Sequence, residues 1–215
     1  MNLWPAFLLL VSLQSHITFA DEIADDDRYW IVKRDASEQE SEGSGSFVNV
    51  SDDSATNLIS ALLNITSHST IRLEPGNYTI DRFVLVQNVT NISLEGSGNE
   101  RGVSILCDDG AGLAFIGVSC LTIRNITVDG CGFTGGDIEN TIGILNDTVN
   151  IFYVIPPVVR IGMLLGHCEN LIMEHTIVKN TRGFGLVGIN VIGISQIRNV
   201  LFYNNTNSGV CNVTM

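Results

Sequence analysis

Basic residues are scarce in this chain. Eleven Lys and Arg stand against 23 Asp and Glu in 215 residues, for a net charge of −12. That balance argues against nucleic acid and anionic membrane surfaces as partners, because both reward Lys and Arg. Proline is rare as well, at 4 residues, while 21 glycines and 45% hydrophobic content are those of a folded chain rather than a disordered one. Apolar runs long enough to span a bilayer are missing: the stretch from Ile151 to Leu165 is broken by Pro156, Pro157 and Arg160. The cysteine spacings match no zinc site, and no nucleophile triad or phosphate loop is present, so no cofactor is expected.

What the sequence does contain begins with a secretory signature. In Met1 to Ala20 the apolar stretch Phe7-Leu8-Leu9-Leu10-Val11 is too short for a membrane span, and Thr18-Phe19-Ala20 closes it with a small residue at the point of cleavage. The expected location is therefore outside the cell. Residues 21–50 read as a flexible acidic linker, carrying Asp21, Glu22, Asp25, Asp26, Asp27, Glu38, Glu40 and Glu42 as a solvated run, with Tyr29-Trp30-Ile31-Val32 as a docking strand. Ser51-Asp52-Asp53-Ser54 then supplies N-cap residues for a helix whose Leu58, Ile59, Leu62 and Leu63 form one apolar stripe.

One short phrase recurs four times after that helix. Its copies are Val89-Thr90-Asn91-Ile92-Ser93-Leu94, Ile123-Arg124-Asn125-Ile126-Thr127-Val128, Met173-Glu174-His175-Thr176-Ile177-Val178 and Ile197-Arg198-Asn199-Val200-Leu201-Phe202, at offsets of 34, 50 and 24 residues. Apolar residues two apart share a strand face, and the Asn or His breaks the phase at a bend where a left-handed conformation is tolerated. The phrase is too short to bury its own apolar face, so the copies must stack as a solenoid, with the helix capping its open end. The alignment predicts one inward stack of Leu94, Val128, Val178 and Phe202, and another of Val89, Ile123, Met173 and Ile197. The parallel β-helix domain covers 51–215, with a loop insertion at about 132–162. No residue after Asn212 is able to cap the last rung, so the chain reads as the front part of a longer protein.

The helix, the Leu73-Glu74-Pro75-Gly76-Asn77-Tyr78 turn and the repeated Ile-x-Asn-Ile-x-Val phrases resemble right-handed parallel β-helix proteins of the pectate-lyase-like group. Ser104-Ile105-Leu106-Cys107 and Asn125-Ile126-Thr127-Val128-Asp129-Gly130-Cys131 resemble in particular large extracellular β-helix proteins of invertebrate animals. The resemblance runs from about Asp53 to Met215. It implies an all-β, right-handed parallel β-helix, and either polysaccharide cleavage or a non-catalytic adhesive or surface role.

Candidate chemistry is thin. Asp108, Asp109 and His167 superficially resemble the Asp-Asp and Gly-His-Gly motifs of polygalacturonases, where paired carboxylates cleave a glycosidic bond. The preceding Asn-Thr-Asp motif is missing, however, and Gly166-His167 runs into Cys168. Asp81, Glu95 and Asp129 are the nearest candidates for a calcium site, with Glu95 and Asp129 read as equivalent in the repeat; a hard cation needs more aligned oxygens than that. Arg124 and Arg198 share a repeat position and are expected on one exterior face, as a solvated stripe or a carbohydrate-binding one. The function expected is a secreted, non-catalytic structural or recognition module, binding extracellular glycans or cell-surface proteins. A polysaccharide lyase or glycoside hydrolase is the alternative.

Nine Asn-x-Ser/Thr sites suit a secreted glycoprotein. Asn91 and Asn125 sit at repeat bends and read as structural. Asn49, Asn64, Asn77, Asn88, Asn146 and Asn204 are the expected acceptors, Asn146 and Asn204 in loops. Cys107 and Cys131 are one coil apart, where stacked positions lie about 4.8 Å from each other, within disulfide reach. Cys120 and Cys168 form a second pair if the insertion is looped out. Cys211 is left over, which points to a partner cysteine beyond this chain.

Overall fold

The computed structural model describes residues 29–31, 46–50, 55–98, 102–137 and 158–213. Signal, N-cap and most linker residues, and Asn146, lie outside them. Strands β1 (Tyr29–Ile31) and β2 (Phe47–Val50) precede helix α1 (Ala55–Leu63). Five coils follow, each built of three short strands. They are β3 (Thr70–Leu73), β4 (Gly76–Ile80) and β5 (Phe83–Gln87); β6 (Thr90–Gly96), β7 (Val103–Cys107) and β8 (Gly112–Ile116); and β9 (Ser119–Arg124) and β10 (Thr127–Asp129), which reach β12 (Arg160–Gly166) by way of β11 (Phe133–Thr134). The fourth coil is β13 (Ile172–Glu174), β14 (Ile177–Lys179) and β15 (Phe184–Ile189). The fifth is β16 (Gln196–Arg198), β17 (Leu201–Tyr203) and β18 (Val210–Val213).

Equivalent strands pair in parallel down the stack. Sheet A runs β1-β5-β8-β12-β15-β18, sheet B β2-β3-β6-β9-β13-β16 and sheet C β4-β7-β10-β14-β17, with β11 antiparallel to β12. The chain is thus an all-β parallel solenoid of about 5 turns. Alternation explains why it closes. In β3, β6, β7 and β9 every second residue is buried, so one face of each strand fills the interior and the other meets solvent.

The inward columns are continuous. On sheet C, Tyr78, Ile105, Val128, Val178 and Phe202 are in register; on sheet B, Ile71, Leu94, Ile123, Met173 and Ile197 are. Burying one such side chain contributes roughly 1.5–3 kcal/mol. The Tyr78 hydroxyl enters this interior satisfied, donating to the carbonyls of Val50 and Glu74 at 2.9 and 2.8 Å. Helix α1 adds Leu58, Ile59 and Leu62 to the same cluster. Exposure returns at both ends of the sheet B column, where Val48, in register with Ile71, is 39% exposed and Ile197 49%.

These columns correct the alignment of the first phrase. Leu94 stacks on Ile123, not on Val128, and Val89 belongs to the turn entering sheet B. The B-to-C corner in the second coil is at Gly96, opposite Asn125. A Cβ at Gly96 would collide with the Asn125 carbonyl oxygen. The error has a physical source: two corners of each coil ask for the same local chemistry. Among the described residues, non-glycine positions with positive φ include His68, Asn91 and Cys120, which share a register column at the A-to-B corner. Asn125, His175 and Asn199 do the same at the B-to-C corner. A short polar residue tolerating the left-handed region, flanked by apolar ones, therefore marks a corner without saying which corner. Glu95 and Asp129 consequently are not equivalent: Glu95 lies on sheet B opposite Arg124, Asp129 on sheet C opposite Leu106 and Lys179.

Sheet A is unlike the other two because both of its faces are apolar. Every residue of β5 and β8 is buried. A second cluster, Phe83, Leu85, Ala114, Ile116, Leu164, Val187 and Ile189 among it, includes Phe133, whose ring lies 4.6 Å from that of Phe83. Phe133 also lies against the Gly112 backbone, where a Cβ would overlap the ring. The stretch read as a loop insertion, 132–162, therefore contains β11 and the start of β12, and the segment read as linker contains β1 and β2.

Candidate functional site

The polygalacturonase-like candidates do not converge. Asp108 and Asp109 sit in the turn between β7 and β8, closed by the Ala111 amide donating to the Asp108 carbonyl at 3.0 Å. His167 follows β12, whose Gly166 pairs with Ile116 at the far end of β8. The five-residue length of β8 separates the two positions, roughly 17 Å at 3.3–3.4 Å per residue. Glycosidic acid–base pairs work across about 5–10 Å.

Asp129 does lie at the same corner as Asp108 and Asp109, but Asp109 and Asp129 are each engaged by a cation. Asp109 accepts from Arg160 at 2.7 Å and is ion-paired with Arg182 at 2.9 Å. The hydrogen bond from Arg160, reinforced by the charges of Arg160 and Arg182, holds the Asp109 carboxyl below its ordinary range. That is the opposite of the raised value a general acid requires. Asp129 pairs with Lys179 at 3.1 Å and accepts from the Asn180 amide at 2.6 Å. Asp81 is held by its neighbour Arg82 at 2.7 Å. Asp81, Glu95 and Asp129 thus occupy three separate surroundings, and no group of three metal-ligating side chains occurs among the described residues.

Cys107 and Cys131 are disulfide-bonded, with Cα atoms 4.7 Å apart across adjacent coils. The expected Cys120–Cys168 pair is not formed. Cys168 points into the interior and is buried, whereas Cys120 occupies the left-handed corner and is exposed, with φ of 57°. The bridge between Ser119 and Glu169 sets Cys168 beside Val118 rather than Cys120, and the left-handed turn at Cys120 swings its thiol outward. Burial pushes the Cys168 thiol up to about 11. Cys211 lies half-buried on the outer side of sheet A, beside the second cluster.

Of the glycan acceptors, Asn49, Asn64, Asn77 and Asn88 are exposed. Asn204 is not a loop residue but a corner one, and its amide donates to Asn180 at 2.6 Å.

The outward face of sheet B carries the most regular polar arrangement. Register places Arg72, Glu95, Arg124, Glu174 and Arg198 in one column, one residue per coil and alternating in sign. The contacts are loose: Arg72 to Glu95 is 3.9 Å, Arg124 to Glu95 3.8 Å and Arg198 to Glu174 3.9 Å. Arg124 Nε is buried and makes no hydrogen bond. A parallel column of Thr70, Ser93, Thr122, Ile172 and Gln196 runs beside it. Arg124 and Arg198 do share a face, as expected, but Glu95 and Glu174 alternate with Arg72, Arg124 and Arg198. Glu174 was legible, since it holds the Arg124 position of its own phrase. Arg72 and Glu95 were hidden by the misplaced first copy. A groove between β2 and α1, lined by Asn49, Asn57, Ser60 and Asn64 among others, offers amides and a hydroxyl. No family model, curated protein or solved structure matches this chain.

Proposed function

We propose that this chain is a secreted, non-catalytic recognition module, a right-handed solenoid of the pectate-lyase-like kind that presents sheet B to extracellular glycans or cell-surface proteins. The observation that carries the reading is the alternating Arg–Glu column on the exterior face of sheet B, with backbone groups paired within the sheet and side chains joined to one another only by ion pairs of 3.8–3.9 Å and, at Arg72, by stacking on Phe47. A disulfide between coils is compatible with an oxidising compartment. The engaged carboxylates at the Asp109 corner weigh against hydrolysis.

The test combines binding and turnover on the full chain. Glycan arrays and cell-surface binding should show a ligand lost when Arg124 and Arg198 are both replaced by Glu. Incubation with uronate and neutral polysaccharides should release no new reducing ends and no unsaturated products. Cleavage abolished by Asp109→Asn would overturn the reading in favour of a polysaccharide lyase or glycoside hydrolase.

A further inference from the structure

The sign alternation on sheet B has a length. Adjacent strands of a sheet are about 4.8 Å apart, so Arg72, Arg124 and Arg198, each two coils from the next, recur at about 9.6 Å. A pyranose unit in an extended β-linked chain advances by about one coil height, and a disaccharide by about two. We propose that sheet B binds an alternating anionic glycan, one carboxylate per disaccharide, running along the solenoid axis. This inference rests on the recognition reading above and names its ligand class.

Each part of the column has a task in that arrangement. The guanidiniums of Arg72, Arg124 and Arg198 meet the acidic sugars, and a guanidinium matches a carboxylate in a two-pronged fashion. Glu95 and Glu174 fall opposite the intervening neutral sugars, where they accept hydroxyl or amide protons. They also repel a polymer charged at every sugar, so the column selects against homopolymeric uronates. The neighbouring Thr70, Ser93 and Thr122 hydroxyls supply further contacts to sugar oxygens. The long 3.8–3.9 Å ion pairs leave the guanidinium donors available.

A protein ligand fits this strip less well. Protein interfaces are anchored on buried aromatic or aliphatic side chains. The central three coils here offer Glu95, Arg124, Glu174, Ser93, Thr122 and Ile172 instead. The net charge of −12 does not forbid an anionic ligand. The strip itself carries three cations against two anions, and charges farther away than about 8 Å are screened at physiological salt.

The experiment uses the full secreted chain, titrated with hyaluronan oligosaccharides as the alternating probe, β-linked mannuronate oligomers as the homouronate probe and chitin oligomers as the neutral one. Hyaluronan should bind in a salt-dependent way, with mannuronate at least about tenfold weaker. Arg124→Ala should weaken hyaluronan binding at least about tenfold while leaving the thermal midpoint of this exterior site near wild type. The double variant Glu95→Gln, Glu174→Gln should raise mannuronate affinity and erase the discrimination, which a merely structural ion-pair column would not do. Equal binding of hyaluronan and mannuronate overturns the alternating-glycan inference but leaves the recognition reading standing if Arg124→Ala weakens both. Chitin bound as tightly as hyaluronan has the same consequence. Failure of all three probes overturns the inference, and failure on glycan arrays and cell surfaces as well removes the recognition reading.

Discussion

Replacing Val128 with Asp tests the stacking register directly. Val128 is fully buried, opposite Ile105 in the coil before and Val178 in the coil after. Losing its apolar burial costs about 1.5–3 kcal/mol. The new carboxyl either loses its hydration as an ion or folds protonated. If its pKa is driven up by about three units, neutrality at pH 7 costs roughly a further 4 kcal/mol. The sum, about 5–7 kcal/mol, is comparable to the whole stability of an ordinary domain. Each coil is also held only by its neighbours, so failure in the third coil uncouples the first two from the last two.

The expected result is loss of secreted, folded protein, together with the far-UV β-sheet signal in whatever material is recovered. Val128→Ala, which removes two carbons without adding charge, should fold and lose about 2 kcal/mol by urea denaturation. Asn77→Asp, on the exposed side of the same sheet, should stay within about 0.5 kcal/mol of wild type. Val128→Asp secreted at wild-type levels with an unchanged urea midpoint would refute the inward column.

Gly96→Ala should destabilise by roughly 1–3 kcal/mol in urea, because its Cβ meets the Asn125 backbone oxygen, and a neutral result would undo the corrected register. Peptide mapping without reductant should recover Cys107 joined to Cys131, with Cys120, Cys168 and Cys211 alkylated only in unfolded protein for Cys168 and also in folded protein for Cys120. The Cys168 thiol is raised from 9.0 to about 11, so the unfolded chain releases its proton first. Stability from this group is full below about pH 9 and falls as pH rises toward 11, by roughly 1–2 kcal/mol at pH 10. Cys168→Ala should lack that increment, and parallel urea curves at pH 8 and 10 decide it. Mass spectrometry of secreted chain should find Asn77 glycosylated and Asn91, Asn125 and Asn204 much less so. Asn91 and Asn204 use their amides in corner hydrogen bonds at 3.1 and 2.6 Å, and Asn125 is half-buried; full occupancy at Asn204 would refute the account.

The solenoid was legible because its signal is repetition of a forced local choice. Asn125, His175 and Asn199 each take positive φ between two apolar pairs, and that combination is hard to place anywhere but at a bend between strands. The Cys107–Cys131 spacing worked for the same reason, since it measures one coil. What failed was phase. Asn91 satisfies the same local rule at a different corner, and the second coil turns from sheet B to sheet C at Gly96 and not at an Asn. A short phrase carries the chemistry of a corner, whereas the identity of the corner is set by how many residues separate it from the others. The second coil, with its longer B-to-C connection, breaks that count. Cys120 and Cys168 failed for a related reason: preceding two copies of the phrase says nothing about which side of the wall each thiol faces.

The three sheets divide folding from recognition. Inward columns are fixed by packing, and corners by the left-handed residues they require, which leaves the outward rows as the positions where sequence is least constrained by the stack. On sheet A those rows are apolar, Leu85, Ala114, Leu164 and Val187 in register, and they are spent on the second cluster. On sheet C, Thr127 is buried while Asp129 and Lys179 bind each other at 3.1 Å, so that row is partly closed on itself. Sheet B alone keeps a strictly alternating charge in every coil at distances too long for strong ion pairs. Opposite charges in adjacent strands contribute about 0.2–1 kcal/mol each when they meet well. Separations of 3.8–3.9 Å at an exposed face place these at the low end of that range. Stability therefore gains little from the alternation, and a ligand with a matching two-coil period is the physical requirement that would reward it.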